Sequence, residues 1–133
     1  MAQQQGSSST TSGRIGAEIG TAAAAANVAL GAGWGNTATL AIRSGSNDQA
    51  GSFTVTSAGT GQAQATATIT FTFADGAYAA APRSYIVQLV NSSNAVTETG
   101  ATAATCSTTV LAWTHSVLPV ATKTYQYNYL VIA

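Results

Sequence analysis

The chain has 133 residues, the size of one domain, yet only 6% of them are Asp, Glu, Lys or Arg and its formal net charge is zero; an ordinary soluble domain is about 25% charged. Its four scattered cations argue against nucleic acid as a direct ligand, because phosphate binding needs clustered Lys and Arg. The most apolar stretch, Ala22 to Leu30, is mostly alanine and is interrupted by Asn27, well short of the roughly 20 residues of a membrane span.

A neutral, charge-poor chain has little repulsion between copies, and interface cores are likewise depleted in charge. Composition therefore points to a surface covered by partners, or to one solvated by the plentiful Ser, Thr, Gln and Asn.

Residues 2–13 carry no apolar side chain larger than alanine and by themselves cannot offset their ordering entropy. Met1 is followed by Ala2-Gln3-Gln4, with neither the basic start nor the apolar centre of a secretory signal. Ile15 and Ile19 are four apart and precede an alanine run, which allows one helical turn, while Gly16, Gly20 and Gly31 oppose a stable helix. Residues 1–35 thus read as an extended N-terminal arm ordered by partner chains. Trp34, between Gly33 and Gly35, either anchors that arm in a partner's pocket or seals the end of the domain. The glycines around it read as a hinge.

From Asn36 onward the pattern is β. Thr39 to Arg43 and Gly51 to Thr56 alternate, with a polar turn between them. Ala65 to Phe73 is the clearest strand: Ile69, Phe71 and Phe73 face one side, Thr68, Thr70 and Thr72 the other. Tyr85 to Val90 is apolar on both faces except Gln88, which predicts a central or interface strand. Weaker strands follow near Val96 to Glu98 and over Ser107 to Thr114. Thr124 to Ile132 is a long last strand with Tyr125, Tyr127 and Tyr129 on one face. That row is cross-strand packing, or else a platform for sugars or bases. Short strands at about ten-residue spacing predict a β-sandwich or barrel over residues 36–133.

Chemistry-bearing motifs are sparse. His115 is the single histidine and, beside a strand end near Pro119, reads as a surface or interface residue. Gly-x-Ser-x-Gly does not occur. Four dispersed carboxylates do not announce a glycosidase pair. Asn47-Asp48 reads as turn chemistry rather than a cation site. The lone Cys106 cannot form an internal disulfide and reads as a buried small thiol.

The order Ala50-Gly51-Ser52-Phe53-Thr54-Val55-Thr56, Gly59-Thr60-Gly61, Ala67-Thr68-Ile69-Thr70-Phe71, Tyr78 through Pro82-Arg83, and Thr124-Tyr125-Gln126-Tyr127-Asn128-Tyr129-Leu130-Val131 resembles β-sandwich domains of tailed-bacteriophage virion proteins. These include small capsid-decorating proteins and tail-fibre tips. The likeness covers residues 36–133 and rests on strand and turn residues.

It implies a homotrimer. Residues and resemblance together lead to an all-β chain, an antiparallel, jelly-roll-like sandwich behind the arm. The expected role is that of a structural virion protein, not an enzyme. It would be a capsid decoration or cement protein at the capsid surface, bound to the major capsid protein or other virion proteins. No cofactor, metal, nucleic acid or membrane is expected. The candidate partner contacts are Ile15, Ile19, Trp34, Tyr125, Tyr127 and Tyr129. A tail-fibre tip or receptor-binding adhesin, using the tyrosine row and polar loops, is the alternative; a small glycan-acting enzyme is a remote one.

Overall fold

The computed structural model describes residues 20–89 and 104–133. Ile15, Ile19 and the weak strand near Val96 to Glu98 lie outside the described residues.

Among the described residues there are eight strands: β1 Val28–Leu30, β2 Thr39–Ile42, β3 Ala50–Thr56, β4 Thr68–Thr72, β5 Arg83–Leu89, β6 Ala104–Cys106, β7 Val110–Thr114 and β8 Thr124–Ile132. They make two four-stranded sheets, with orders β1-β4-β7-β6 and β2-β3-β8-β5. Every pairing is antiparallel. The all-β sandwich expected from the alternation is the observed architecture. Among the described residues no helix is long and apolar enough to cross a membrane.

The alternation explains the core. Because successive side chains point to opposite faces, Phe53 and Val55 of β3, Ile69 and Phe71 of β4, Leu111 and Trp113 of β7, and the odd-numbered residues Tyr125 to Val131 of β8 all turn inward and are buried. Phe53, from the second sheet, stacks on Trp113, from the first, with ring centroids 5.9 Å apart and planes inclined by 11°. The opposite faces carry Thr68, Thr70, Gln126 and Asn128, all partly exposed.

Two expectations need correction. The first is the arm's boundary at residue 35. Val28, Ala29 and Leu30 pair with Phe71, Thr70 and Ile69, and Trp34 is 0% exposed. Residues 20–35, as far as they were assigned to an arm, are therefore part of the sandwich.

The reason is tertiary. Trp34 donates its indole N–H to the Thr68 carbonyl at 2.9 Å, while its own carbonyl accepts the Ser57 hydroxyl at 2.8 Å. The flanking glycines are not a hinge. A Cβ on Gly33 would run into the Ala63 carbonyl and the Ala67 amide nitrogen, so only glycine lets the chain lie this close. Gly35 sits at φ 100°, where a side chain is strained.

The second correction concerns β5. Among the described residues it pairs with β8 alone, which removes the central reading and leaves that of an interface strand, and Tyr85 is 57% exposed.

Trp34→Ala should lower the free energy of unfolding by about 3–5 kcal/mol, the cost of emptying a buried aromatic site. Urea denaturation of the full chain measures it, and a loss below about 1 kcal/mol would mean that the indole is not held in the core.

Candidate interaction surfaces

The tyrosine row of β8 is core, not contact surface. Tyr125, Tyr127 and Tyr129 are 4%, 0% and 4% exposed, so none reaches a partner, a sugar or a base while the sandwich is closed. Trp34 is withdrawn as a partner contact for the same reason.

The hydroxyls of Tyr125 and Tyr129 instead serve the rim of the sandwich, and that of Tyr127 serves an interior ring. Tyr125 Oη accepts the backbone N–H of Val120 at 2.9 Å. Tyr129 donates its hydroxyl to the Asn47 carbonyl, and burial pushes its phenol well above the usual range, with Asp48 adding to the effect. Tyr127 Oη meets His115 Nδ1 at 2.5 Å.

His115 is likewise interior rather than surface, at 1% exposed. Its ring centroid lies 4.5 Å from that of Tyr125 and 5.1 Å from that of Trp34. Its backbone N–H donates to the Ala67 carbonyl at 2.9 Å. Desolvation of the imidazolium lowers the ring's pKa to about 4, so at neutral pH it is an uncharged packing group. A hydrolytic base would need contact with a substrate, and this ring is sealed beneath an indole.

The carboxylates are also committed to backbone. Asp48, 5% exposed, accepts the N–H groups of Ala74 at 2.6 Å and Asp75 at 2.7 Å. Asp75 in turn accepts the Thr21 N–H with both oxygens, at 3.1 and 3.0 Å. Asn47 Oδ1 accepts from Gln49 and Ala50, the turn chemistry expected of Asn in a hairpin.

This corner joins the β2–β3 hairpin, the β4–β5 loop and the incoming chain around a cleft of about 180 Å³. Tyr78 borders the cleft, and its phenol pKa is raised by burial and then by Asp48. Among the described residues no group of three or more His, Cys, Asp or Glu is placed to hold a metal ion. Cys106 is half-buried on β6, and burial pushes its thiol pKa up.

Among the described residues the exposed large apolar side chains fall in two places. The first is the loop between β7 and β8, where Val117, Leu118 and Val120 are 38%, 57% and 46% exposed around a buried Pro119. The loop is braced. Gln64 donates its side-chain amide to the Ser116 carbonyl at 2.5 Å. The Thr122 N–H donates to the Ser57 carbonyl at 2.7 Å, and the Lys123 N–H to the Val120 carbonyl at 3.1 Å.

The second place is the outer face of the β2-β3-β8-β5 sheet. There Tyr85, Leu130 and Ile132 are 57%, 45% and 48% exposed. The sequence marked the strand of Tyr85 as a central or interface strand, but it did not single out the loop. Leu118 and its neighbours beside a proline looked only like a chain break.

Comparison of the chain with family models, with curated proteins and with solved structures finds no match.

Because His115 has a lower pKa in the folded chain than the ordinary 6.5, the unfolded chain takes up a proton first as pH falls. The stability contributed by neutral His115 is complete above about pH 6.5 and declines towards about pH 4. Urea unfolding at pH 7 and pH 4.5 should show wild type losing about 2 kcal/mol more than His115→Asn. Equal losses would mean that the ring is not desolvated.

Proposed function

We propose that this chain is a non-catalytic structural protein of a virion, a capsid decoration protein that binds and stabilises a phage head and acts as a homotrimer. The observation that carries the reading is the braced apolar loop. Val117, Leu118 and Val120 are exposed on a backbone already tied to the core through Tyr125, Ser57 and Gln64. An apolar surface held rigid before contact loses little entropy when a partner covers it. Full burial of a Val or Leu side chain contributes roughly 1.5–3 kcal/mol.

The loop suits an uncharged apolar hollow between shell subunits. The charged residue nearest to it in the sequence is Lys123. The low charge of the whole chain supports the same reading, because closed symmetry lets each copy bury the same apolar patch without repulsion. The chain's one histidine packs in the interior, and both described carboxylates bind backbone N–H groups, which supports a role in binding over one in catalysis.

Leu118→Asp and Val120→Asp should each weaken cosedimentation with shells lacking this protein by about tenfold or more, since each puts a charge into the apolar contact. The exposed positions should leave the melting temperature of the free chain within about 2 °C of wild type. Wild-type affinity in both variants would remove the loop from the interface. Light scattering should give a mass near that of a trimer; a stable monomer at micromolar concentration would contradict the oligomer.

A further inference from the structure

In an antiparallel ladder, directly opposed residues put their side chains on the same face, and this fixes a composite patch outside the β2-β3-β8-β5 sheet. One row runs Arg43, Ser52, Asn128: the Arg43 N–H donates to the Ser52 carbonyl at 3.0 Å, and Ser52 pairs with Asn128. The next row runs Ala50, Leu130, Tyr85. Beyond it Ile132 pairs with Arg83. The patch therefore holds an exposed aromatic ring and an aliphatic neighbour beside a strip of amides and hydroxyls, with an arginine at either side.

Tyr85 stands out among the aromatics. Eight of the ten lie in the core, Tyr78 is half-buried, and Tyr85 alone is largely exposed, on a strand whose ladder to β8 fixes it.

The polar strip is held in place as well. Gln126 Nε2 donates to Ser52 Oγ at 3.2 Å and lies 3.5 Å from Asn128 Oδ1. Ser46 Oγ donates to the Arg43 carbonyl at 2.7 Å and accepts the Ser52 N–H at 3.1 Å. A groove of about 410 Å³ runs between Arg43, Ser44, Ser46 and Asn128, a volume within the ordinary range for small-molecule sites.

Flat aromatic rings take the C–H face of a pyranose, and fixed amides take its hydroxyls. The arginines set the charge of the ligand. The described carboxylates, Asp48 and Asp75, accept backbone N–H groups at the end of the sandwich. A guanidinium fork matches a carboxylate in two parallel hydrogen bonds.

We propose that this outer face is a binding site for an acidic oligosaccharide, with Tyr85 as the stacking platform and Arg43 as the carboxylate contact. Asn128 contacts the intervening hydroxyls. By strand and residue spacing, Tyr85 and Arg43 lie roughly 16 Å apart at their Cα atoms, the length of about three pyranose rings. Two arginines at opposite sides of an aromatic do not form the clustered cation track that nucleic acid needs. The site is separate from the β7–β8 loop and does not depend on shell attachment.

The test uses the full chain and three probes: an oligouronate of four sugars, a neutral maltotetraose and a ten-nucleotide oligothymidylate. Titrations are followed by two-dimensional NMR and calorimetry. The oligouronate should bind at least tenfold more tightly than maltotetraose, and shifts should cluster at residues 43–52, 85 and 126–130. Tyr85→Ala and Arg43→Ala should each weaken it at least tenfold at an unchanged melting temperature, while Leu118→Asp leaves it unchanged. Four results would overturn the proposal: no binding of the oligouronate at millimolar concentration, equal binding of the neutral sugar, tighter binding of the oligothymidylate, or binding that survives both substitutions.

Discussion

Between the two sheets, Phe53 of β3 stacks at 4.9 Å on Tyr129 and at 5.9 Å on Trp113, while Phe71 meets Phe53 edge-on at 5.3 Å. The other features of the molecule are arranged around this aromatic stack. A chain with so few charged residues gains little from ion pairs, and rings of this size supply much of its buried apolar area. Each ring sits on a strand position of one parity. The opposite parity is thereby assigned to the outside, where Thr, Ser, Gln and Asn can be solvated without help. The outer face of the β2-β3-β8-β5 sheet follows from that single partition.

The core also reaches the surface chemically. A tyrosine can fill the interior with its ring and place its hydroxyl at the rim, as Tyr125 and Tyr129 of β8 do, while Tyr127 between them keeps its hydroxyl inside. Tyr125 holds the backbone of the β7–β8 loop, Tyr127 holds His115, and Tyr129 holds the β2–β3 hairpin. The apolar residues that the loop exposes are consequently presented on a fixed frame rather than on a free chain. Next to Asn47 in that hairpin, Asp48 clasps two successive N–H groups of the β4–β5 loop. Asp75 there holds Thr21, so the first described residues are tied to the same corner. The uncharged ring of His115 is part of this economy, because it packs like an aromatic only while it stays neutral.

Much of the fold was legible because alternation is local. The bounds of β8 follow from Thr124 to Ile132, and the inward set of β4 from Ile69 and Phe71. What period two does not say is which parity faces in. The tyrosine row was open to both readings, although Gln126 and Asn128 on the other parity were the available sign that the tyrosines were inside.

Other features depended on contacts far along the chain. Trp34 finds Thr68 thirty-four residues away, and β1 has too little β propensity to be seen without its partner β4. His115 looked like a surface residue because nothing near it in sequence announces the indole that covers it. The pairing of β5 with β8 alone among the described residues, and with it the exposure of Tyr85, depends on strand order, which no local pattern encodes. The outer face became visible as a site only once register placed Arg43, Asn128 and Tyr85 in neighbouring rows.

On the proposed function, partners meet this chain through a surface already formed outside a closed core. Amide hydrogen exchange on the full chain, free and bound to shells, tests it most directly. Shells should slow exchange at residues 117–123 while the amides of β3 and the middle of β8, already locked in the ladder, stay as they were. Protection spread through β3 and β8 on binding, with none at the loop, would mean that the sandwich forms its contact by rearranging its core, and would contradict it.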